Sequence, residues 1–237
     1  MDTVTYKGEE IPFTILSSEK RRTIGITVKQ TGEVVVRVPV HVSQEKIVSY
    51  IQSKADWIAK HRTRFLSREV CHRTYADGET LPYYGRELTI SRTAGDCLKA
   101  NIIGDSLLIT VPSTLTEEET ILGLRDAVIY LYRREGLNTL KPIVKKYADL
   151  LGIEAPPVRV RIQTAKWGCC TPKNGIILNV KILLAPPIVA EYLVVHELAH
   201  IPHRNHQAEF WDEVERLMPN YRDAEALLKS DGWRWTF

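Results

Sequence analysis

The densest group of residues able to do chemistry is the stretch His196-Glu197-Leu198-Ala199-His200, an H-E-x-x-H pattern. In a helix, residues i and i+4 project from one face, one turn apart, so His196 and His200 can both reach one tetrahedral zinc ion. Glu197 follows the first histidine and is expected to reach a water molecule on the metal rather than the metal itself. The pattern therefore predicts two metal ligands and a general base for hydrolysis.

Residues 188–200 around this pattern are apolar on nearly every side, which predicts a buried helix. Two imidazoles and a carboxylate cost several kcal/mol in such a place unless something satisfies them, and a bound cation would do so. The alternative is an ordinary core helix, in which the histidines bond to backbone carbonyls and Glu197 meets an arginine.

A catalytic zinc ion needs a third protein ligand and one open position. Pro202 predicts that the helix ends just after the H-E-x-x-H pattern, and Asn205 is expected to be the N-cap of a following helix. That helix would carry His206 in its first turn, a rigid position for a ligand. His203 is expected to be an exposed histidine in the turn, so His206 is favoured over it as the third ligand. A later acid, Glu225, is the remaining alternative. The predicted apolar face of the following helix consists of Phe210, Trp211, Val214, Leu217 and Met218.

Residues 116–237 are predicted to form the catalytic part of the chain. Its first segment has a helical pattern over residues 116–151, with a break expected near Gly136 and Pro142 and a stop at Gly152.

Two strands are predicted next, at residues 158–163 and 175–182, with a compact turn at residues 166–172 between them. These strands are expected to form a small sheet over the buried helix. Residues 175–180 are the candidate edge to which an extended peptide substrate would add as a strand.

Residues 1–115 are predicted to form a β-rich region. A strand pattern of alternating apolar and polar residues ends at Val38-Pro39. A similar pattern ends 73 positions later, at Val111-Pro112, and each is followed by a Ser or Thr suited to an N-cap. This pattern indicates a degenerate strand–turn–strand–helix repeat, over residues 20–65 and 85–135. Two unrelated hairpins are the alternative interpretation. The expected fold class is thus α+β.

A series of short motifs in the second half resembles the YgjP-like metallopeptidases, which are related to SprT-like zincins. The motifs are Lys166-Trp167-Gly168-x-Cys170, Gly175-Ile176-x-Leu178-Asn179, Leu184-Ala185-Pro186, Tyr192-x-Val194-Val195-His196-Glu197-Leu198-Ala199-His200, Asn205-His206 and Phe210-Trp211. The resemblance is strong over residues 130–228 and looser before them. It implies a zinc-dependent peptidase with ligands at the three matched histidines, acting on peptides or proteins.

Two positions depart from the family's usual Arg-Trp-Gly-Ser-Cys. Lys166 keeps the positive charge but lacks the planar fork of arginine, and Cys169 replaces the serine. Cys169 and Cys170 lie on a separate segment from the histidines, so a structural role in the turn is expected for them rather than metal binding. Tyr221 is a further candidate, as a phenol that could hydrogen-bond an oxyanion.

Charge and cysteine usage limit the other function classes. The chain has 32 basic and 29 acidic residues, with 19 and 18 of them in residues 1–140 and 13 and 11 in residues 141–237, so bulk charge gives nucleic-acid binding no support. No apolar run approaches the ~18 residues needed to span a bilayer. The cysteines form no C-x-x-C pair, which predicts reduced thiols and a cytoplasmic protein. They are Cys71, Cys97, Cys169 and Cys170.

Two other functions stay open at this point. The first is a non-catalytic domain stabilised by zinc, which would need a fourth protein ligand. The second is a protease acting on nucleic-acid-bound proteins, which would need a basic face that only the folded surface can reveal.

Overall fold

The computed structural model describes residues 2–29, 31–66 and 73–237. The chain divides into two compact units, Met1–Val70 and Cys71–Phe237. Both contain sheets and helices, so the α+β fold class is confirmed. Among the described residues, no helix combines the length and the apolar character that crossing a bilayer requires.

The first unit is a four-stranded sheet followed by two helices. The sheet order is β1-β2-β4-β3; β2 and β4 are parallel, and the outer pairs are antiparallel. Val34, Val36 and Val38 of the fourth strand share one hydrophobic core with buried isoleucines of the two helices, as the period-2 pattern predicts, and Val35 is buried outside that core. The elements are β1 (Asp2–Tyr6), β2 (Glu9–Ser18), β3 (Gly25–Val28), β4 (Val34–Pro39), α1 (Gln44–Ser53) and α2 (Ala55–Leu66).

The second unit begins with a sheet of the same topology. Its order is β5-β6-β8-β7, again with one parallel pair between two antiparallel pairs. The first hairpin of each sheet turns through two residues of positive φ, Lys7-Gly8 and Tyr84-Gly85. Such turns match the twist of the strands they join. The strands are β5 (Thr80–Tyr83), β6 (Arg86–Ala94), β7 (Lys99–Ile103) and β8 (Ser106–Val111). A common origin of the two copies stays a prediction.

A single long helix, α3 (Glu117–Leu151), follows the second sheet. It begins with a capping box, in which the Glu119 N–H donates to Thr116 Oγ1 and the Thr116 N–H donates to the Glu119 carboxylate. It ends at Gly152, which has a φ of 70°. The break predicted near Gly136 and Pro142 is wrong. Pro142 removes one helical hydrogen bond, and the buried face of the helix continues on both sides of it.

The boundary predicted between residues 115 and 116 falls inside the second unit. Buried residues of β5–β8, such as Leu88 and Leu107, belong to the same hydrophobic core as buried residues of α3 and of the C-terminal helices. The chain therefore divides before β5 rather than before α3. The assignment of catalysis to residues 116–237 stays a prediction.

A three-stranded sheet comes next in the chain, with β11 between β10 and β9. The predicted turn at residues 166–172 contains β10, and the second predicted strand stops at Asn179, which caps a 3₁₀ helix. Because β11 is paired on both sides, the expectation that residues 175–180 form the sheet edge is wrong; the edge nearest the H-E-x-x-H helix belongs to β10. The elements are β9 (Val158–Arg161), β10 (Gly168–Cys170), β11 (Ile176–Asn179) and the 3₁₀ helix Val180–Leu184.

Three α-helices follow, α4 (Pro187–Ala199), α5 (Ala208–Leu217) and α6 (Tyr221–Asp231), and then a 3₁₀ helix, Gly232–Arg234. Most of α4 is buried, as its apolar pattern predicts. The N-cap of α5 is Gln207, whose carbonyl accepts the Trp211 N–H, so the prediction of Asn205 as N-cap is wrong. His206 consequently lies in the loop before α5, not in its first turn.

Candidate metal centre

Three imidazoles meet where α4 ends and the following loop returns to it. One ring nitrogen each of His196, His200 and His206 lies within 4.8 Å of the others, and the Nε2 atoms of His196 and His206 are 3.1 Å apart. Two nitrogens bound to one tetrahedral zinc at 2.0–2.1 Å would be separated by about 3.3 Å. The donor set and its spacing therefore fit a metal ion.

The ring of His200 is oriented by the chain that follows it. Its Nδ1 lies 3.2 Å from the carbonyl oxygen of His203, so a proton on Nδ1 leaves Nε2 to face the other two histidines. His203 thus contributes a backbone carbonyl, and its own ring is outside the group. Glu225 is also outside it and pairs with Lys229 at 2.7 Å.

Burial favours the neutral form of two of the imidazoles, those of His196 and His200. It lowers the pKa of His196 to about 3, with further lowering from the neighbouring His200 and His206. Burial also lowers the pKa of His200. Neutral imidazole is the form that binds a metal, so these two side chains are ready to accept one at neutral pH.

Among the buried positions of α4, Glu197 alone has an acidic or basic side chain, and 4% of its surface is exposed. Burial raises the pKa of its carboxyl to about 7, against the opposing effects of the Cys170 N–H, which donates to it, and of Lys166. Among the described residues it forms no ion pair with an arginine, which removes the core-helix alternative for this side chain.

The backbone of β10 passes directly over Glu197. A Cβ atom at Gly168 would lie 2.6 Å from Glu197 Oε1 and 3.0 Å from Cδ and Cγ. Only glycine allows this approach without displacing the carboxylate. Gly168 is therefore part of the site, although it carries no functional group that a search for chemistry could find.

Asn179 positions the segment that leads into β10. Its side-chain amide is buried and donates to the carbonyls of Gln163 and Lys166, each at 2.8 Å, and its N–H donates to the Trp167 carbonyl at 2.8 Å. Trp167 packs edge-to-face on the buried ring of Trp235, so the C-terminal segment supports the same loop. Sequence reasoning quoted Asn179 in a family motif but gave it no role.

Arg204 connects the loop that carries His206 to the β10–β11 hairpin. Its guanidinium donates to the Thr171 carbonyl at 3.3 Å, to Cys170 Sγ at 3.5 Å and to Asn174 Oδ1. Neither Cys169 nor Cys170 belongs to the histidine group. Burial raises the pKa of the Cys170 thiol, which disfavours the thiolate that a metal would require. Cys71 lies outside the described residues, and Cys97 is an exposed free thiol.

Aromatic rings pack against His196. Phe210 packs edge-to-face on it at 5.0 Å and Trp211 at 6.0 Å. Tyr221 is buried, stacks on Trp211 at 5.7 Å, and accepts a hydrogen bond from Arg222 at 3.4 Å. These contacts give Tyr221 a packing role, and an oxyanion-binding role for it stays a prediction. Met218 is buried in the core, as its place on the apolar face predicts.

Three clustered imidazoles and a buried carboxylate beside a sheet edge are a donor set typical of metal-dependent hydrolases. A family model described as "YgjP-like, metallopeptidase domain" matches residues 22–231. The chain belongs to this family and is a metallopeptidase by class, which confirms the resemblance drawn from the motifs.

Two solved structures are similar to part of the chain. One is the metallopeptidase zymogen abylysin of Pyrococcus abyssi, at 24% identity over 39% of this chain and 95% of that chain, with a TM-score of 0.35. The other is the metallopeptidase zymogen jannalysin of Methanocaldococcus jannaschii, at 19% identity over the same shares, with a TM-score of 0.36. Comparison with curated proteins gives no match.

Proposed function

We propose that the chain is a zinc-dependent peptidase in which His196, His200 and His206 hold the metal and Glu197 is the general base. The observation that carries the proposal is the convergence of three ring nitrogens within 4.8 Å beside a buried carboxylate. Three imidazoles and an open position are the typical ligand set of catalytic zinc. When bound, the metal supplies Lewis acidity for the scissile carbonyl and for water.

Glu197 is the group that moves protons. Its carboxylate accepts the proton of the attacking water and then delivers it to the leaving amine. A pKa raised to about 7 suits both steps, because the same group must gain and lose a proton near neutral pH. The Cys170 N–H and the close backbone of Gly168 restrict the carboxylate to one position.

The edge of β10 is the part of the sheet that would hold the substrate. It lies at the end of the three-stranded sheet and contacts α4, which carries two of the three histidines. An extended peptide that pairs with a strand edge is held by main-chain hydrogen bonds. The proposal places peptide binding on the part of this edge before Cys170, whose N–H already donates to Glu197, and not on the interior strand β11.

A purely structural zinc domain is the weaker alternative. It requires a fourth protein ligand, and within the described residues the group has three members. Its third histidine is exposed, so the metal position is open to solvent on that side. These two observations favour a catalytic role.

The test is the variant Glu197→Gln, which keeps size and hydrogen-bonding reach and removes the proton acceptor. We expect it to retain zinc and thermal stability and to lose about 10²–10⁴-fold in peptide cleavage. Glu191→Gln is the matched control, since Glu191 is on the same helix and bonds to Lys146 and Tyr147 rather than facing the histidines. Cleavage that is unchanged in Glu197→Gln would place the base elsewhere. Equal inactivity of the wild type and both variants on a diverse peptide library, with zinc bound, would favour the structural alternative.

A further inference from the structure

Basic and acidic residues are distributed unevenly along the chain, although the net charge is only +3. Residues 125–181 carry 11 basic and four acidic residues, whereas the rest of the chain carries 21 basic and 25 acidic residues. Three of these 11 cations, Arg134, Lys145 and Lys146, form ion pairs. The other eight form none with any described residue. The excess positive charge is therefore available to an external anion.

Five of the unpaired cations come together around β9. Arg159 and Arg161 are two residues apart on one strand, so both project from the face of the sheet opposite the buried Val160. Between them, Arg133 of α3 donates from Nε to the Val160 carbonyl at 3.2 Å. All three arginines are exposed.

The same group continues past the end of β11. Arg161 is the register partner of Asn179, two residues before Lys181. Lys181 is half-buried; burial lowers the pKa of its ammonium, and the neighbouring Arg125 of α3 lowers it further. We define the basic face as Arg125, Arg133, Arg159, Arg161 and Lys181.

We propose that the basic face binds the phosphate backbone of a nucleic acid. Several adjacent cations without acidic partners repel one another, and a polyanion relieves that repulsion while releasing its own counterions. Arginine, which makes up four of the five, presents a planar fork of donors to phosphate oxygens. The proposal does not depend on peptidase activity.

An acidic polypeptide fits this surface less well. Arg133 already occupies the Val160 carbonyl on β9, which interrupts that edge as a site for adding a strand. The face consists of long cationic side chains on one strand, one helix and one turn. Such a surface matches a regularly charged backbone, which needs charge at many points rather than a fitted cavity.

The test is fluorescence anisotropy of the 237-residue chain with a labelled 20-base-pair DNA duplex of arbitrary sequence, between 50 and 200 mM NaCl. If all five cations contact phosphates, affinity should fall about 500-fold over this range. In the double variant Arg159→Ala, Arg161→Ala, the fall should shrink to about 40-fold, as three contacts predict. The variant Arg159→Lys, Arg161→Lys keeps both charges and should retain most of the wild-type salt dependence.

The control Lys60→Ala, Lys145→Ala removes the same charge from exposed lysines that already pair with Asp56 and Asp149. It should bind DNA as the wild type does. Equal loss in the control would show that only net charge matters and would overturn the proposal. Competition by poly-L-glutamate as strong as that by unlabelled DNA, at equal charge concentration, would also overturn it, in favour of an acidic protein partner. Thermal unfolding of each variant separates a binding defect from a folding defect.

Discussion

Because β10 lies so close to Glu197, we expect even a methyl side chain at residue 168 to reduce peptidase activity severely. In Gly168→Ala, the added Cβ would lie 2.6 Å from Glu197 Oε1, about 0.8 Å short of an ordinary contact of 3.4 Å. The strand is held by Asn179 and by its pairing with β11, so the carboxylate at the end of a flexible side chain is the part that moves. The variant therefore displaces the proposed base and leaves the fold in place.

The magnitude follows from this displacement. Catalytic groups must be held within about 0.5 Å of their productive position, and a misplacement of about 1 Å costs on the order of 10²-fold in rate. We expect kcat for Gly168→Ala to fall about 10²-fold, equivalent to about 2.7 kcal/mol of transition-state stabilisation. Bound zinc should be unchanged, because the three histidines lie on α4 and its following loop rather than under Gly168.

The assay is steady-state cleavage of a peptide substrate, with metal content measured by elemental analysis and stability by thermal unfolding. Gly175→Ala is the matched control in the same hairpin, where the nearest atom to a new Cβ, Thr171 Oγ1, is 3.2 Å away. It should retain kcat within about twofold. Wild-type kcat in Gly168→Ala would refute the argument that this glycine positions Glu197. Loss of zinc together with activity would show that the strand supports the metal site instead.

Two further predictions concern the metal. His206→Ala should lose zinc far more readily than His203→Ala, because His203 reaches the site only through its backbone carbonyl, which alanine keeps. Titration with a chelator measures the difference. The reverse order would move the third ligand to His203. The double variant Cys169→Ser, Cys170→Ser should keep one zinc per chain by elemental analysis, since neither thiol belongs to the histidine group; loss of zinc from a folded protein would contradict that.

The residues proposed for metal binding were accessible from the sequence because their geometry is local. His196 and His200 are one helical turn apart, and that spacing alone places them on one face. For His206 the local pattern predicts the wrong element, since the residue lies in the loop before α5 and not in its first turn. The hydrogen bonds from Arg204 to the β10–β11 hairpin restrain this loop, and no local sequence pattern predicts such a long-range contact.

The features that the sequence does not predict depend on tertiary packing, on very short elements or on charges that lie far apart in the chain. Gly136 suggested a helix break, but it is buried where a Cβ would lie 2.2 Å from Leu183 Cδ1, so it marks a close packing contact. The three-residue β10 is too short to show a strand period. Charge totals for residues 1–140 and 141–237 do not indicate the proposed basic face, because a division at residue 140 falls within α3 and separates Arg125 and Arg133 from Arg159 and Arg161.

The first hairpin of each sheet has a signal of its own in the sequence. Tyr6-Lys7-Gly8 and Tyr83-Tyr84-Gly85 are 77 positions apart, and each forms the tight turn between the first two strands of its sheet. A spacing of 73 positions matches only the later strand and its helix. The loops after the second strands differ in length, so no single spacing aligns both copies.

The continuity of α3 has a consequence for dissecting the protein. A straight helix of 35 residues spans about 52 Å, and this one contacts β7 of the second sheet as well as α4 and β9. In a fragment that started at residue 116, apolar residues in the first turns of α3, among them Leu124 and Val128, would lose their packing partners and be exposed to water. Limited proteolysis should therefore release a stable piece only by cutting ahead of β5, and the smallest autonomous peptidase must retain the sheet that contributes none of its histidines.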